Sequence, residues 1–147
     1  EVKWFNLKIL GTTFLKKTDV ALGEGSVTQY IIFENKHLCS LIFYKWNTIK
    51  QSRSHSHAFS AIAILLKGWY HEEVTFGEHK VPNLVNTPLW PRYLPKNYVH
   101  SVGYARPNTV TMVLAGPWDK EWFEVFPDGT KKWYTWGREL IKTEKEK

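Results

Sequence analysis

The sequence predicts an all-β domain, a sandwich or barrel of short strands. Three observations point there. Six or more runs are rich in β-branched and aromatic residues. Clusters of Gly, Pro, Asn and Asp separate these runs at short intervals. The apolar supply is also large: 43% of 147 residues are hydrophobic, with 8 Trp, 7 Tyr and 8 Phe. That is enough to build a core without a disulfide or a structural zinc.

Residues 1–16 are the exception to the β pattern. Trp4, Leu7, Leu10, Phe14 and Leu15 recur near helical spacing and predict a helix. "SVTQYIIFEN" and "HLCSLIFYKW" then meet at Asn35-Lys36 as a hairpin. "HAFSAIAILLKG" reads as a long buried strand closed by Gly68. "GWYHEEVTF" follows as its antiparallel partner. Residues 77–91 hold Pro82, Pro88 and Pro91 and read as a loop. "NTVTMVLAG" is a strand stopped by Gly116-Pro117. In "EWFEVFPDGTKKWYTW", Pro127 presets a turn and Gly129 supplies its positive φ, which makes a second hairpin. "GRELIKTEKEK" predicts a short, fraying helix. No repeat, linker or low-complexity stretch divides the chain, so residues 1–147 read as one domain.

The formal net charge is +6. The lysines are scattered, and no helix carries a basic stripe, so the charge serves mainly solubility. Nucleic acid is a possible but unfavoured partner. No apolar run approaches the roughly 20 residues of a membrane span. The start, Glu1, reads as trimmed and shows no signal-peptide pattern. Cys39 is the single cysteine, which points to a reducing, cytoplasmic setting. Within "KHLCSLIFY" it reads as a small buried hydrophobe.

The chemistry centres on "SHSH". Residues i and i+2 of a strand share a face, so His55 and His57 present two imidazoles side by side. A metal needs a further ligand. "LPKNYVHSV" supplies one: Pro95 and Asn97 make a turn that delivers His100 onto a strand. Three neutral imidazoles on one side of a metal leave the opposite positions open.

These residues resemble the two motifs of the cupin superfamily. The first reads His-x-His, three or four residues, Glu, six residues, Gly. Here His55 and His57 are followed at that spacing by Ala61 and Gly68. The second contains Pro-x-Gly-x-x-His, matched by Pro95, Asn97 and His100, with Asn in the glycine place. The last asparagine of that motif falls on Tyr104. The resemblance covers about half the chain and implies a double-stranded β-helix, the jelly-roll barrel, with a short extra N-terminal element. The stretches "HSHAFSAIAILLKGWYHEE" and "TVTMVLAGPWDKEWFEVFPDG" also resemble a little-characterised cupin group of phages and bacteria.

With Ala61 in place of the motif glutamate, the ligand set is similar to the three-histidine iron site of the thiol dioxygenases, which are also cupins. The resemblance implies Fe(II), an oxygenase reaction on a small anionic molecule, and His55, His57 and His100 as ligands. Zn, Ni or Mn in a non-redox isomerase, lyase or hydrolase is the alternative. A non-catalytic module that binds a sugar, nucleotide or signalling metabolite is the reading from another class. Arg53 and Arg92 are candidates to hold a substrate anion. Tyr70, Tyr98 and Tyr104 are candidates for a tyrosine near the metal. In this assignment Arg53 and Tyr70 are catalytic, and Arg53, Arg92 and Tyr98 bind substrate. Ala61 and Ala63 face the interior, and Ile62, Ile64 and Leu66 face sheet packing. Glu72 and Glu73 read as solvent-facing, His71 as uninvolved, and His37 and His79 as solvated. The aromatic edge at the terminal hairpin fits a homodimer interface.

Overall fold

The computed structural model describes residues 6–21, 25–49, 52–77, 79–135 and 139–145, and among them it contains strands and no helix. The strands are β1 (Leu7–Ile9), β2 (Thr12–Ala21), β3 (Gly25–Glu34), β4 (Ser40–Ile49), β5 (Ser54–His55), β6 (Phe59–Lys67) and β7 (Tyr70–Phe76). They continue with β8 (His79–Val85), β9 (Pro91–Leu94), β10 (Val99–Ala105), β11 (Thr109–Trp118), β12 (Trp122–Val125), β13 (Thr130–Tyr134) and β14 (Leu140–Lys145). All pairings are antiparallel, and they trace two sheets. One runs β1-β2-β3-β4-β11-β6-β9. The other runs β8-β7-β10-β5-β12-β13-β14. Among the described residues a single pair, Ile49 with Ala105, joins them. This is the double-stranded β-helix of a jelly roll.

Both hairpins read from the sequence are present. Residues 35–39 close β3 onto β4, with the Asn35 N–H donating to the Cys39 carbonyl at 3.0 Å. Cys39 therefore lies in the turn and is exposed, not buried in the strand, because β4 begins one residue later. At the second hairpin, Gly129 takes φ 78° and donates to the Phe126 carbonyl at 3.0 Å.

Four expectations of secondary structure and strand pairing change. The N-terminal helix is a hairpin: Leu7 pairs with Phe14, and Ile9 with Thr12. Leu10 and Gly11, at φ 47° and 76°, make its two-residue turn, the conformation such loops require. The apolar spacing mimicked a helix, and Trp4 lies outside the described residues. Residues 79–85 form a strand despite Pro82, because β8 is a sheet edge, where a missing N–H costs no ladder bond. The C-terminal segment is also an edge strand, β14, and its alternating charges suit an exposed edge. Finally, β7 does not pair with β6. The edges of β6 are taken by β11 and β9, and β7 crosses to the other sheet between β10 and β8.

The interior follows period 2. Ala61, Ala63 and Leu65 are buried, and Tyr70, Val74 and Val102 face them from the second sheet. Ile62 points outward as read, but it is 44% exposed rather than packed under another layer. It stands in an outer row with Tyr93 on β9 and Leu114 on β11.

Gly68 makes the crossover. Its φ is +86°, and a Cβ there would lie 2.9 Å from the Thr109 Cα. The Thr109 hydroxyl meanwhile receives the Trp69 N–H at 3.2 Å and donates to the Trp69 carbonyl at 3.1 Å. Gly68→Ala thus meets both a left-handed backbone and a clash that relaxes only by breaking this bridge. It is expected to cost about 2–4 kcal/mol and to lower Tm by roughly 4–16 °C in thermal unfolding. A Tm within a degree of the wild type would show that the crossover tolerates a side chain.

Candidate metal centre

The three motif histidines come together where β5 and β10 meet. His55 and His100 are cross-strand partners, so their side chains share a face. β5 ends at His55, and the chain then bends inward. The Ser56 N–H donates to the Phe123 carbonyl at 2.9 Å and the His57 N–H to the Lys96 carbonyl at 3.2 Å. These bonds hold His57 beside the other two. One ligand nitrogen from each ring lies within 4.8 Å of the others, and ring centroids are 4.9–5.2 Å apart. The turn before His100 is closed by the Tyr98 N–H on the Pro95 carbonyl at 2.8 Å. Asn97 is not at positive φ, so its replacement of the motif glycine carries no strain.

The donor chemistry fits a metal. The Nε2 atoms of His57 and His100 are 3.1 Å apart. Two lone pairs at that distance repel, so a proton or a cation must lie between them. Burial, and then the neighbouring His100 and His55, hold the His57 pKa well below its ordinary value. His57 therefore stays neutral, which is the form that ligates. His55 Nδ1 is 2.9 Å from the Arg53 carbonyl, and an Nδ1–H donated there leaves Nε2 for the group.

His100 rests on a carboxylate. Its Nδ1 lies 2.8 Å from Glu72 Oε2. Glu72 is inward-facing on β7, and its side chain is 0% exposed. Its other oxygen, Oε1, accepts from Asn83 Nδ2 at 2.7 Å, from the Tyr98 hydroxyl at 3.0 Å and from Arg92 Nη2. Arg92, on β9 of the opposite sheet, also donates to the Tyr70 hydroxyl at 2.9 Å and to the Tyr98 hydroxyl at 3.3 Å. Burial opposes ionisation of Glu72. The hydrogen bond from His100, the Arg92 guanidinium and the Asn83 amide outweigh it, and the carboxyl titrates at about 2. Burial and the Glu72 charge push Tyr98 up to about 12 and Tyr70 higher still, so both keep their protons at neutral pH.

The other sequence candidates divide. Arg53 and Tyr70 line, with all three histidines, a cavity of about 440 Å³ between the sheets. Ala61 and Ala63 line it too. Arg53 is half exposed, 3.4 Å from the Glu124 carboxylate and over the Phe126 ring at 4.7 Å. Arg92 and the Tyr98 hydroxyl turn to Glu72, while the Tyr98 ring lies against His100 with centroids 5.2 Å apart. Tyr104 is exposed and packs on Trp69, as does His71. Glu73 pairs with Lys80 at 3.1 Å on the outside. Glu72 is the correction: it is buried, not solvent-facing. Tyr70 and Val74 flank it two residues away on the same inward face, and that parity was the available signal.

No family model and no curated protein matches the chain. Solved structures do. An RmlC-like cupin from Shewanella frigidimarina has 15% identity and a TM-score of 0.52, covering 69% of this chain and 85% of that one. FeII HppE in complex with substrate has 10% identity and a TM-score of 0.54, covering 69% and 55%. Oxalate decarboxylase from Bacillus subtilis has 12% identity and a TM-score of 0.51, covering 71% and 28%. At these identities the likeness is one of fold, and it agrees with the two sheets: the chain has the fold of the RmlC-like cupins.

Proposed function

We propose that the chain is a metal-dependent enzyme acting on a small anionic molecule, with His55, His57 and His100 as ligands and Fe(II) oxygenase chemistry as the leading reading. The convergence of three ring nitrogens within 4.8 Å carries it. Among the described residues the donor set holds no carboxylate, and Ala61 stands where the motif has glutamate. Three imidazoles suit iron, and equally zinc or nickel. A ferrous ion held there supplies Lewis acidity and one-electron chemistry toward dioxygen.

The chain's own residues do the rest. Ala61 and Ala63 leave room beside the histidines, and Phe59, Trp46 and Tyr70 give that space an apolar wall which limits water. Tyr70 keeps its proton, and its hydroxyl, which accepts from Arg92, would offer that proton as a hydrogen-bond donor to a substrate in the cavity. Lys16, Lys36 and Arg53 line the same cavity with Glu34 and Glu124, a small positive excess that favours an anion there.

The test is to load metal-free protein anaerobically with Fe(II) and to follow oxygen consumption over a panel of small thiols and carboxylic and phosphonic acids. Uptake that needs both iron and one substrate class is expected. Equal turnover by the Zn(II)-loaded protein without oxygen would move the assignment to isomerase, lyase or hydrolase chemistry.

Arg53→Ala separates binding from stability. An exposed ion pair contributes at most about 1 kcal/mol, so Tm should fall by less than roughly 4 °C. For an anionic substrate, KM should rise about 3–10-fold with kcat little changed, because Arg53 offers the same charge to ground and transition states. An unchanged KM would remove Arg53 from the site.

A further inference from the structure

The geometry points to Glu72 as the residue that positions His100 and selects its tautomer. This rests on the metal-centre reading above and adds a part that the two sequence motifs do not contain.

Glu72 reaches His100 diagonally. On β7 and β10, Glu72 pairs with Val102 and Val74 pairs with His100, so the two side chains lie one step apart on the same inward face, within reach of a long side chain. The bond pattern is asymmetric. Three donors, from Asn83, Tyr98 and Arg92, crowd Oε1, while Oε2 faces His100 Nδ1 at 2.8 Å. A carboxylate has no hydrogen to give, so the proton between them belongs to Nδ1. In the neutral ring that leaves Nε2 with its lone pair, and the proton shared with His57 Nε2, 3.1 Å away, is then carried by His57 in the metal-free protein. The Glu72 bond also fixes ring rotation and makes Nε2 a stronger donor.

His55 Nδ1 meets a neutral backbone carbonyl. Glu72 brings its negative charge to the three-imidazole set through His100, one bond outside the ligand atoms. Arg92 holds the carboxylate from the opposite sheet, so the pair is neutral overall and cannot swing.

An amide in this place reverses the logic. In Glu72→Gln the carbonyl oxygen stays with the three donors, and the NH2 group faces His100 Nδ1. Nδ1 must then accept, its proton moves to Nε2, and the atom aimed at the metal is blocked.

The experiment titrates Co(II) against a competing chelator, with the visible Co(II) spectrum as a second readout. It compares the wild type, Glu72→Gln, and Asn83→Ala, which removes one Oε1 donor without touching His100. Glu72→Gln should bind Co(II) about 10–100-fold more weakly with a shifted spectrum, and Asn83→Ala should stay within about 3-fold of the wild type. The 15N shifts of the His100 ring in metal-free protein should move from the Nδ1–H to the Nε2–H form in Glu72→Gln. Should that variant not fold, the neutral pair Glu72→Gln with Arg92→Met replaces it, with the same expected loss of affinity. A folded variant with wild-type affinity, spectrum and tautomer would overturn the positioning role alone. A wild type that takes up no Co(II) would overturn the metal centre and this role together.

Discussion

His57→Ala should reduce the metal content of protein purified without a histidine tag from about one ion per chain to a trace. Two imidazoles cannot hold a divalent ion against buffer and water as three do, and the loss in affinity should exceed about 100-fold. The change is confined to the ligand. The backbone bonds that shape this segment come from Ser56 and His57 N–H groups, which alanine retains. The ring borders an existing cavity, so its removal enlarges a space already present instead of opening a sealed void. Alanine also removes a buried imidazole pressed against two others. Chelator-treated His57→Ala should therefore unfold within roughly 4 °C of the chelator-treated wild type. Elemental analysis beside thermal unfolding checks both halves. Metal retained at the wild-type level in the variant would show that the ion sits elsewhere, and the histidines would then be polar groups at a barrel mouth.

The sequence made this group visible because both of its signals are local. His55 and His57 are two residues apart, and Pro95 to His100 is one turn. Gly68 marked the end of β6 for a reason that the structure makes concrete, since only a residue without Cβ fits over Thr109. Period 2 likewise placed Ala61 and Ala63 inside and Ile62 outside correctly. The strand partners were less legible. Hydrophobic pattern says which face of a strand is buried, but not which strand lies beside it. That is why Tyr70–Phe76 was expected on β6 and is found on β10. The N-terminal hairpin and β14 read as helices because spaced apolar residues and mixed charges suit an exposed edge strand as well as a helix.

Arg92 shows a different limit. Its residue type suggests an anion clamp. The sequence gives no distance between Arg92 on one sheet and Glu72 on the other, so it could not show that the guanidinium is already satisfied. Glu72 itself was readable: a carboxylate in register with Tyr70 and Val74 sits on an inward face, where a charge is costly unless it is paired.

That pairing carries the second large effect, in Arg92→Leu. The substitution keeps an apolar stem under β9 and removes the charge that neutralises Glu72. A buried carboxylate left without its cation should cost about 3–5 kcal/mol at neutral pH, a fall in Tm of roughly 6–20 °C. The loss should depend on pH in a definite direction. In the wild type the Glu72 carboxyl titrates at about 2, below its ordinary 4.5, so its contribution to stability is full above pH 4.5 and fades as pH falls toward 2. Without Arg92 that pKa rises, because burial still opposes the charge and one of the opposing influences is gone. The variant can then relieve its strain by taking up a proton at a pH where the wild type does not. Denaturant unfolding of chelator-treated wild type and Arg92→Leu should therefore give a gap that is widest near pH 7 and narrows steadily below pH 4.5. A gap that stays constant down to pH 3 would mean that Arg92 stabilises by packing across the two sheets, not by charge. Glu72→Leu combined with Arg92→Leu decides the same point at a single pH. If charge is the cause, the double variant recovers part of the loss that Arg92→Leu shows alone, because no unpaired carboxylate remains.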